Sequence, residues 1–277
     1  MSIPNEVNAH YGTADLVERV RHALQAAGIT GNAGWKALAP LDQFHVGGVA
    51  ATADLAALLE INLGSSVLDV GCGLGGPARH LAAEFGCTVT GIDLNKAYVD
   101  LANMLSDMVG LSDRLHCISG DASHMPFEAE SFDFAWTQHV GMNIADRGVF
   151  YGGIFKVLRP GGRLAIFDVV AGEAGSIEFP VPWASDPATS FVLSAEATRE
   201  VLEGVGFKVV KWRNATAPAM AWQQAQMTAG QNRPEHLKSV GLPLVMGPKF
   251  PAMVSNLGRN IQEGRAALLQ AVVERPR

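Results

Sequence analysis

The segment 66–76, SVLDVGCGLGG, constrains the fold more than any other part of the chain. Val67, Leu68 and Val70 make an apolar run of the kind a buried strand needs, and three alternating glycines, Gly71, Gly73 and Gly75, end it at once. A helix-compatible stretch, 77–85, follows directly. Glycines at a strand-to-helix turn remove the Cβ atoms, so a bulky ligand can lie against the backbone. Asp69 sits at the strand end, two residues before the first glycine. A carboxylate there suits a ligand that carries an ammonium or other positive charge.

Gly71, Gly73 and Gly76 also satisfy the dinucleotide pattern G-x-G-x-x-G. A pyrophosphate at the helix start would be repelled by an ionised Asp69. S-adenosylmethionine carries a sulfonium and an α-amino group and no phosphate, so it tolerates that carboxylate. Asp93, followed by Leu94, closes a second apolar stretch about twenty residues on, where a carboxylate accepts ribose hydroxyls. Asp121, followed by Ala122, comes after a third strand and is placed to meet an adenine amino group. The acids therefore recur after three successive strands.

The ordered segments VLDVGCGLGG, VTGIDL, GDASHMPF, SFDFAWTQHV and LRPGGRLAIFD resemble the class I S-adenosylmethionine-dependent methyltransferases. The likeness is strong over 66–168 and weaker towards both ends. The runs LDQFHVGG and QHVGMNI resemble small-molecule methyltransferases such as the sarcosine/dimethylglycine, tocopherol and sterol enzymes. The resemblance implies S-adenosylmethionine as cofactor, S-adenosylhomocysteine as product and a small-molecule methyl acceptor.

The 277 residues suffice for one α/β domain with additions, and 48% hydrophobic against 17% charged residues describes a globular chain. A net charge of -6 with no Lys/Arg run gives no reason to expect nucleic acid. Cys72, Cys87 and Cys117 lack metal-ligand spacing and read as packing residues, and no metal site is expected. The N-terminal sequence lacks a signal-peptide pattern and no apolar run reaches a membrane span, so a soluble cytoplasmic protein is expected. The residues say nothing of oligomeric state.

Alternating strand and helix patterns predict a Rossmann-like, doubly wound seven-stranded α/β sheet, mostly parallel with an antiparallel last strand. Strands are expected at 66–70, 88–93, 114–119, 132–137, 163–168, 207–212 and 267–273, with Pro160-Gly161-Gly162 as a turn before the fifth. Helices are expected at 14–27, 48–61, 77–85, 96–109, 147–158 and 194–203. Residues 1–62 read as a helical cap and 63–277 as the cofactor-binding domain. Lid-like insertions interrupt it at about 171–191 and 217–264, after strands five and six.

Methyl transfer from a sulfonium is an in-line displacement that needs positioning and exclusion of water. Residues after the fourth strand should face both reactants. Gln138 is the candidate cofactor contact and His139 the candidate base, its ordinary pKa lying near neutrality. Tyr11, His45, Asn143, Trp183 and Trp222 are candidate acceptor-binding residues. The first insertion has no Lys or Arg, which disfavours a diphosphate acceptor unless Lys249, Arg259 or Arg265 turns inward. Amine N-methylation ranks first, C-methylation of an isoprenoid or sterol-like acceptor second, and O-methylation third. Readings from other classes are a nicotinamide-dependent oxidoreductase, for which no Tyr-x-x-x-Lys pair is present, and a non-catalytic cofactor-binding protein.

Overall fold

Seven strands form one sheet in the order β3-β2-β1-β4-β5-β7-β6. The computed structural model describes residues 15–231 and 234–277, and of 226–231 the backbone alone. The strands are β1 (Ser66–Val70), β2 (Thr88–Asp93), β3 (Leu115–Ser119), β4 (Phe132–Gln138), β5 (Leu158–Ala171), β6 (Lys208–Asn214) and β7 (Ala266–Glu274). The pairs among β1 to β5 are parallel, and β7 runs antiparallel between β5 and β6. The expected doubly wound sheet with a reversed last strand is therefore what forms.

Successive side chains of a strand point to opposite faces, and here the two faces feed two separate cores. Val67, Val89, Phe134 and Trp136 pack on one side, and Leu68, Ile92, Ala135 and Leu164 on the other. Burying one such aliphatic side chain contributes about 1.5–3 kcal/mol, so the alternation fixes the strand register. Helices α4 (Gly76–Phe85), α5 (Lys96–Met108), α6 (Arg147–Val157) and α7 (Ala195–Val205) follow strands β1, β2, β4 and β5. Asn95, Asp146 and Ser194 cap three of them, each accepting hydrogen bonds from first-turn N–H groups.

The fifth strand begins five residues before its expected start. Pro160-Gly161-Gly162 is not a free turn but a bulged part of β5. Phe132 pairs with Leu158 and Phe134 with Arg163, while Gly161 N–H and Gly162 O bond to the Arg275 backbone.

The N-terminal arm holds α1 (Leu16–Ala26), α2 (Ala39–Asp42) and α3 (Gly48–Leu59). Leu16, Val20, Leu24, Leu38 and Leu41 bury against Leu74, Tyr98, Leu101 and Leu105. The second insertion is largely helical: α8 (Thr216–Gln231), α9 (Leu242–Met246) and α10 (Phe250–Gln262). Both insertions leave from the edge of the sheet where the parallel strands end. Among the described residues, no helix is long and apolar enough to cross a membrane.

Candidate functional site

The strand order reverses between β1 and β4, and a crevice at the carboxyl ends of strands flanking such a point is where open α/β sheets bind ligands. A cavity of about 470 Å³ lies there. Gly71, Gly73, Asp93, Leu94, Asp121, Ala122, Gln138, His139, Asn143 and Trp183 are in its wall, so ten residues singled out from the sequence are brought together.

The glycine turn is shaped for close approach. Gly71 and Gly73 have φ +76° and +52°, and a side chain on Gly71 would strike Val140 while one on Gly73 would press on Phe44 at 3.0 Å. Gly73 N–H donates to Asp93 Oδ2 (2.8 Å) and Asn95 N–H to Asp93 Oδ1 (2.9 Å). These bonds fix the Asp93 carboxylate and leave each oxygen one free lone pair. Burial raises the Asp93 pKa against the pull of those two donors. Asp121 is held likewise by Ser123 N–H (2.8 Å) and His124 (3.3 Å). Partial burial works to raise its pKa, but these hydrogen bonds outweigh it and leave the pKa below the ordinary value.

Asp69 is placed differently from the expectation. It is buried but not in the cavity wall, and its Oδ2 has no partner among the described residues. Burial first, and Asp93 second, push its pKa up to about 8, against the pull of Arg79. Asp69 is therefore mostly protonated near neutrality in the ligand-free protein. Standing charge repulsion is thus not what would turn a pyrophosphate away. The site instead holds an acid whose ionisation a cation would release. Gly75 is also outside the wall. Its φ of +74° starts α4, and a side chain there would meet Arg79 at 3.1 Å.

Gln138 ends β4 with its Oε1 accepting from Trp136 Nε1–H (2.9 Å), while its Nε2 has no partner among the described residues. His139 follows in a left-handed conformation, φ +54°, unusual for a non-glycine residue and held by its N–H bond to Phe167 O (2.7 Å). Asp168 Oδ1 accepts from Val140 and Gly141 N–H (3.0 and 3.3 Å), and its other oxygen lies 3.7 Å from the Arg147 guanidinium. This buried pair ties down the loop that carries His139. Burial, reinforced by the neighbouring His45, lowers the His139 pKa well below its ordinary value, so the imidazole is neutral; its Nε2 has no partner among the described residues.

Two acceptor candidates, His45 and Trp222, fall elsewhere. His45 lies behind His139 with ring centroids 6.0 Å apart, outside the wall, and hydrogen-bonds Gln43 and Thr52. Burial lowers its pKa to about 4. Trp222 packs over Gly48 instead of lining the cavity. Tyr11 lies outside the described residues. Among Lys249, Arg259 and Arg265, none enters the wall; Arg259 and Arg265 pair with Glu178.

The remaining wall is mainly apolar, with Phe44, Tyr98, Met142, Ile144, Val149, Pro182, Met246, Phe250 and Leu257, and its polar members are Asn95, Ser123, His124 and Asp146. The arm and both insertions contribute to it. Among the lining residues there is no Lys or Arg.

Comparison with known proteins agrees with this geometry. The profile of the family described as "Methyltransferase domain" matches residues 68–166, the stretch from β1 to β5 that carries the glycine turn and the acids. Residues 68–166 thus resemble a methyltransferase domain. Among curated relatives, Methyltransferase GfsG of Streptomyces halstedii is 37% identical over 136 residues, 49% of this chain and 49% of that protein. Sterol 24-C-methyltransferase of Debaryomyces hansenii is 37% identical over 116 residues, 42% of this chain and 31% of that protein. The matched segment thus spans about half or less of the length of these relatives.

Solved structures share this fold. Phosphoethanolamine N-methyltransferase 2 of Haemonchus contortus, in complex with S-adenosyl-L-methionine, superposes with TM-score 0.71 at 21% identity, over 93% of this chain and 60% of that one. Geranyl diphosphate C-methyltransferase of Streptomyces coelicolor A3(2) gives TM-score 0.71 at 15% identity, over 99% of this chain and 98% of that one.

Proposed function

We propose that the protein is an S-adenosylmethionine-dependent methyltransferase acting on an uncharged, largely apolar small molecule. The observation that carries the cofactor assignment is the glycine cradle flanked by the fixed Asp93 carboxylate, with unpartnered Asp69 Oδ2 and Gln138 Nε2 beside it. Those residues fit the group: Asp93 for the ribose hydroxyls, Asp121 and Ala122 for the adenine, Gly71 and Gly73 for close backbone contact. Asp69 and Gln138 offer an anion and a donor to an amino-acid end. When bound, S-adenosylmethionine supplies a methyl group on a positively charged sulfur.

The chain's part is to position, to dry the site and to handle a proton. The apolar wall excludes water from the reacting centre, and the pinned loop 139–143 sets the acceptor against it. His139 is the proposed catalytic residue. Its neutral Nε2 accepts a proton, or a hydrogen bond, from an acceptor that must lose one. Asn143 and Trp183 would bind the acceptor. The bond from Trp183 Nε1–H to Ser190 Oγ (2.9 Å) fixes the indole.

The lack of Lys and Arg among the described lining residues supports an acceptor without phosphate, and the aliphatic and aromatic part of the lining supports an apolar skeleton. That moves C-methylation of an isoprenoid or sterol-like molecule ahead of the amine favoured by sequence resemblance. The arm and the insertions are read as a cap and lids over this cavity. Three buried free thiols suit a reducing compartment, so the reading places the protein in the cytoplasm.

The test is transfer of isotope-labelled methyl from S-adenosylmethionine to a panel of prenyl alcohols, sterols, small amines and prenyl diphosphates. Label in the apolar alcohols or sterols supports the reading. Label only in the amines or diphosphates refutes the acceptor class, and no label in any acceptor together with no cofactor binding refutes the enzyme.

A further inference from the structure

Sheet register places Asp69 of β1 opposite Trp136 of β4. Side chains two apart share a face, so Asp69, Trp136 and Gln138 all point to the side of the sheet that α3 covers. Thr52, on α3, is fully buried there and joins a hydrogen-bond chain with Gln43, His45 and Gln138.

Gln43 Nε2 donates to Asp42 Oδ1 (3.1 Å), so Gln43 Oε1 is an acceptor. His45 Nε2 lies 3.0 Å from that oxygen and Nδ1 3.4 Å from Val46 O, and the shorter contact favours the tautomer in which Nε2–H donates to Gln43. An indole N–H only donates, so Trp136 fixes Gln138 Oε1 as an acceptor too. The Thr52 hydroxyl is 3.1 Å from His45 Nε2, 3.2 Å from Gln43 Oε1 and 3.3 Å from Gln138 Oε1. With His45 donating to Gln43, the Thr52 hydroxyl bridges the two carboxamide oxygens, Gln43 Oε1 and Gln138 Oε1, both within 3.3 Å of it. Two donors then hold the Gln138 carbonyl, and the N–H2 edge is left unpartnered at the cavity wall on a residue 9% exposed.

We infer that Thr52 is a positioning residue: its hydroxyl, set by His45 of the N-terminal arm, turns the Gln138 carboxamide so that N–H2 meets the carboxylate of an amino-acid-bearing ligand. This rests on the cofactor assignment proposed above. Asp69, on the same face, is the complementary anion for that ligand's ammonium. Thr52 and His45 thereby contribute to ligand recognition without lining the cavity.

The test is calorimetric titration of the full chain with S-adenosylhomocysteine and with 5′-methylthioadenosine, which shares the nucleoside but lacks the amino-acid end. Thr52→Val should weaken S-adenosylhomocysteine about tenfold and change 5′-methylthioadenosine less than about twofold. Thr52→Ser should restore binding to within about threefold, and in a Gln138→Leu background Thr52→Val should add less than about twofold. Equal weakening of both ligands, unchanged S-adenosylhomocysteine affinity, or a full Thr52→Val effect without Gln138 would overturn the inference. Failure of wild-type protein to bind S-adenosylhomocysteine would overturn the cofactor assignment itself, and the inference with it.

Discussion

Asp69 gives the cofactor assignment a thermodynamic signature. With its pKa raised to about 8 by burial in the ligand-free protein, Asp69 is mostly protonated at pH 6.5. An ammonium brought beside the carboxylate returns its pKa to or below the ordinary range. Binding S-adenosylhomocysteine at pH 6.5 should therefore release about one proton. The ligand's α-amino group stays almost fully protonated at that pH and adds little. The assay is titration calorimetry in phosphate, bis-Tris and imidazole buffers, where the dependence of observed enthalpy on buffer ionisation enthalpy counts protons. The same linkage makes affinity rise about tenfold per pH unit between pH 5 and 7.5 and level off near pH 8. Asp69→Asn should abolish both the release and the slope. Tight wild-type binding with release below about 0.3 proton would refute the reasoning, because Asp69 would then be ionised already or would face no cation.

The free protein should show the opposite pH trend. A folded-state pKa raised above the unfolded value stabilises the fold at low pH, a contribution lost as pH rises towards 8. The Asp69 share of stability should thus fall by up to about 1.4 kcal/mol per unit between pH 5 and 8, a decline that chemical denaturation of Asp69→Asn should not show. Arg79, wholly buried, bonds Asp42 Oδ2 (2.9 Å), Ala102 O, Ser106 Oγ and Leu74 O, clamping the arm to the glycine turn. Asp42→Ala strands that guanidinium and should cost about 3–5 kcal/mol in urea denaturation. A methyl on Gly141 would occupy the space of the Arg147 guanidinium, so Gly141→Ala should lower stability by about 1–3 kcal/mol and abolish turnover. His139→Ala should leave S-adenosylhomocysteine affinity within about twofold while turnover falls about 10²–10⁴-fold; turnover within threefold of wild type would remove His139 from catalysis.

The framework is legible where strands are short, apolar and bounded by glycine. β1 and β2 begin and end where their sequences predict, because Val and Ile runs stop at Gly71 and Asp93. β5 is longer than its sequence suggests because pairing to Arg275, over 100 residues away, outweighs the turn preference of Pro160-Gly161-Gly162. Asp93, Asp121 and Gln138 are readable in the site because each sits at or just beyond a strand end. Asp69 lies one step deeper in its strand and so under the wall, with a pKa that no local pattern encodes. Phe44, Tyr98, Met246 and Phe250 come from four separate segments and meet only through packing of the arm and second insertion. The burial of Arg79 is equally silent in sequence, since α4 is enclosed by the arm on one side and α5 on the other.

The cofactor assignment underlies every other step, and one titration tests it most directly: S-adenosylmethionine against the wild-type chain, with NADH as the competing ligand class. Saturable micromolar binding of S-adenosylmethionine, with none of NADH, is the predicted result. Binding of NADH without S-adenosylmethionine would contradict the account and return the glycine turn to a dinucleotide.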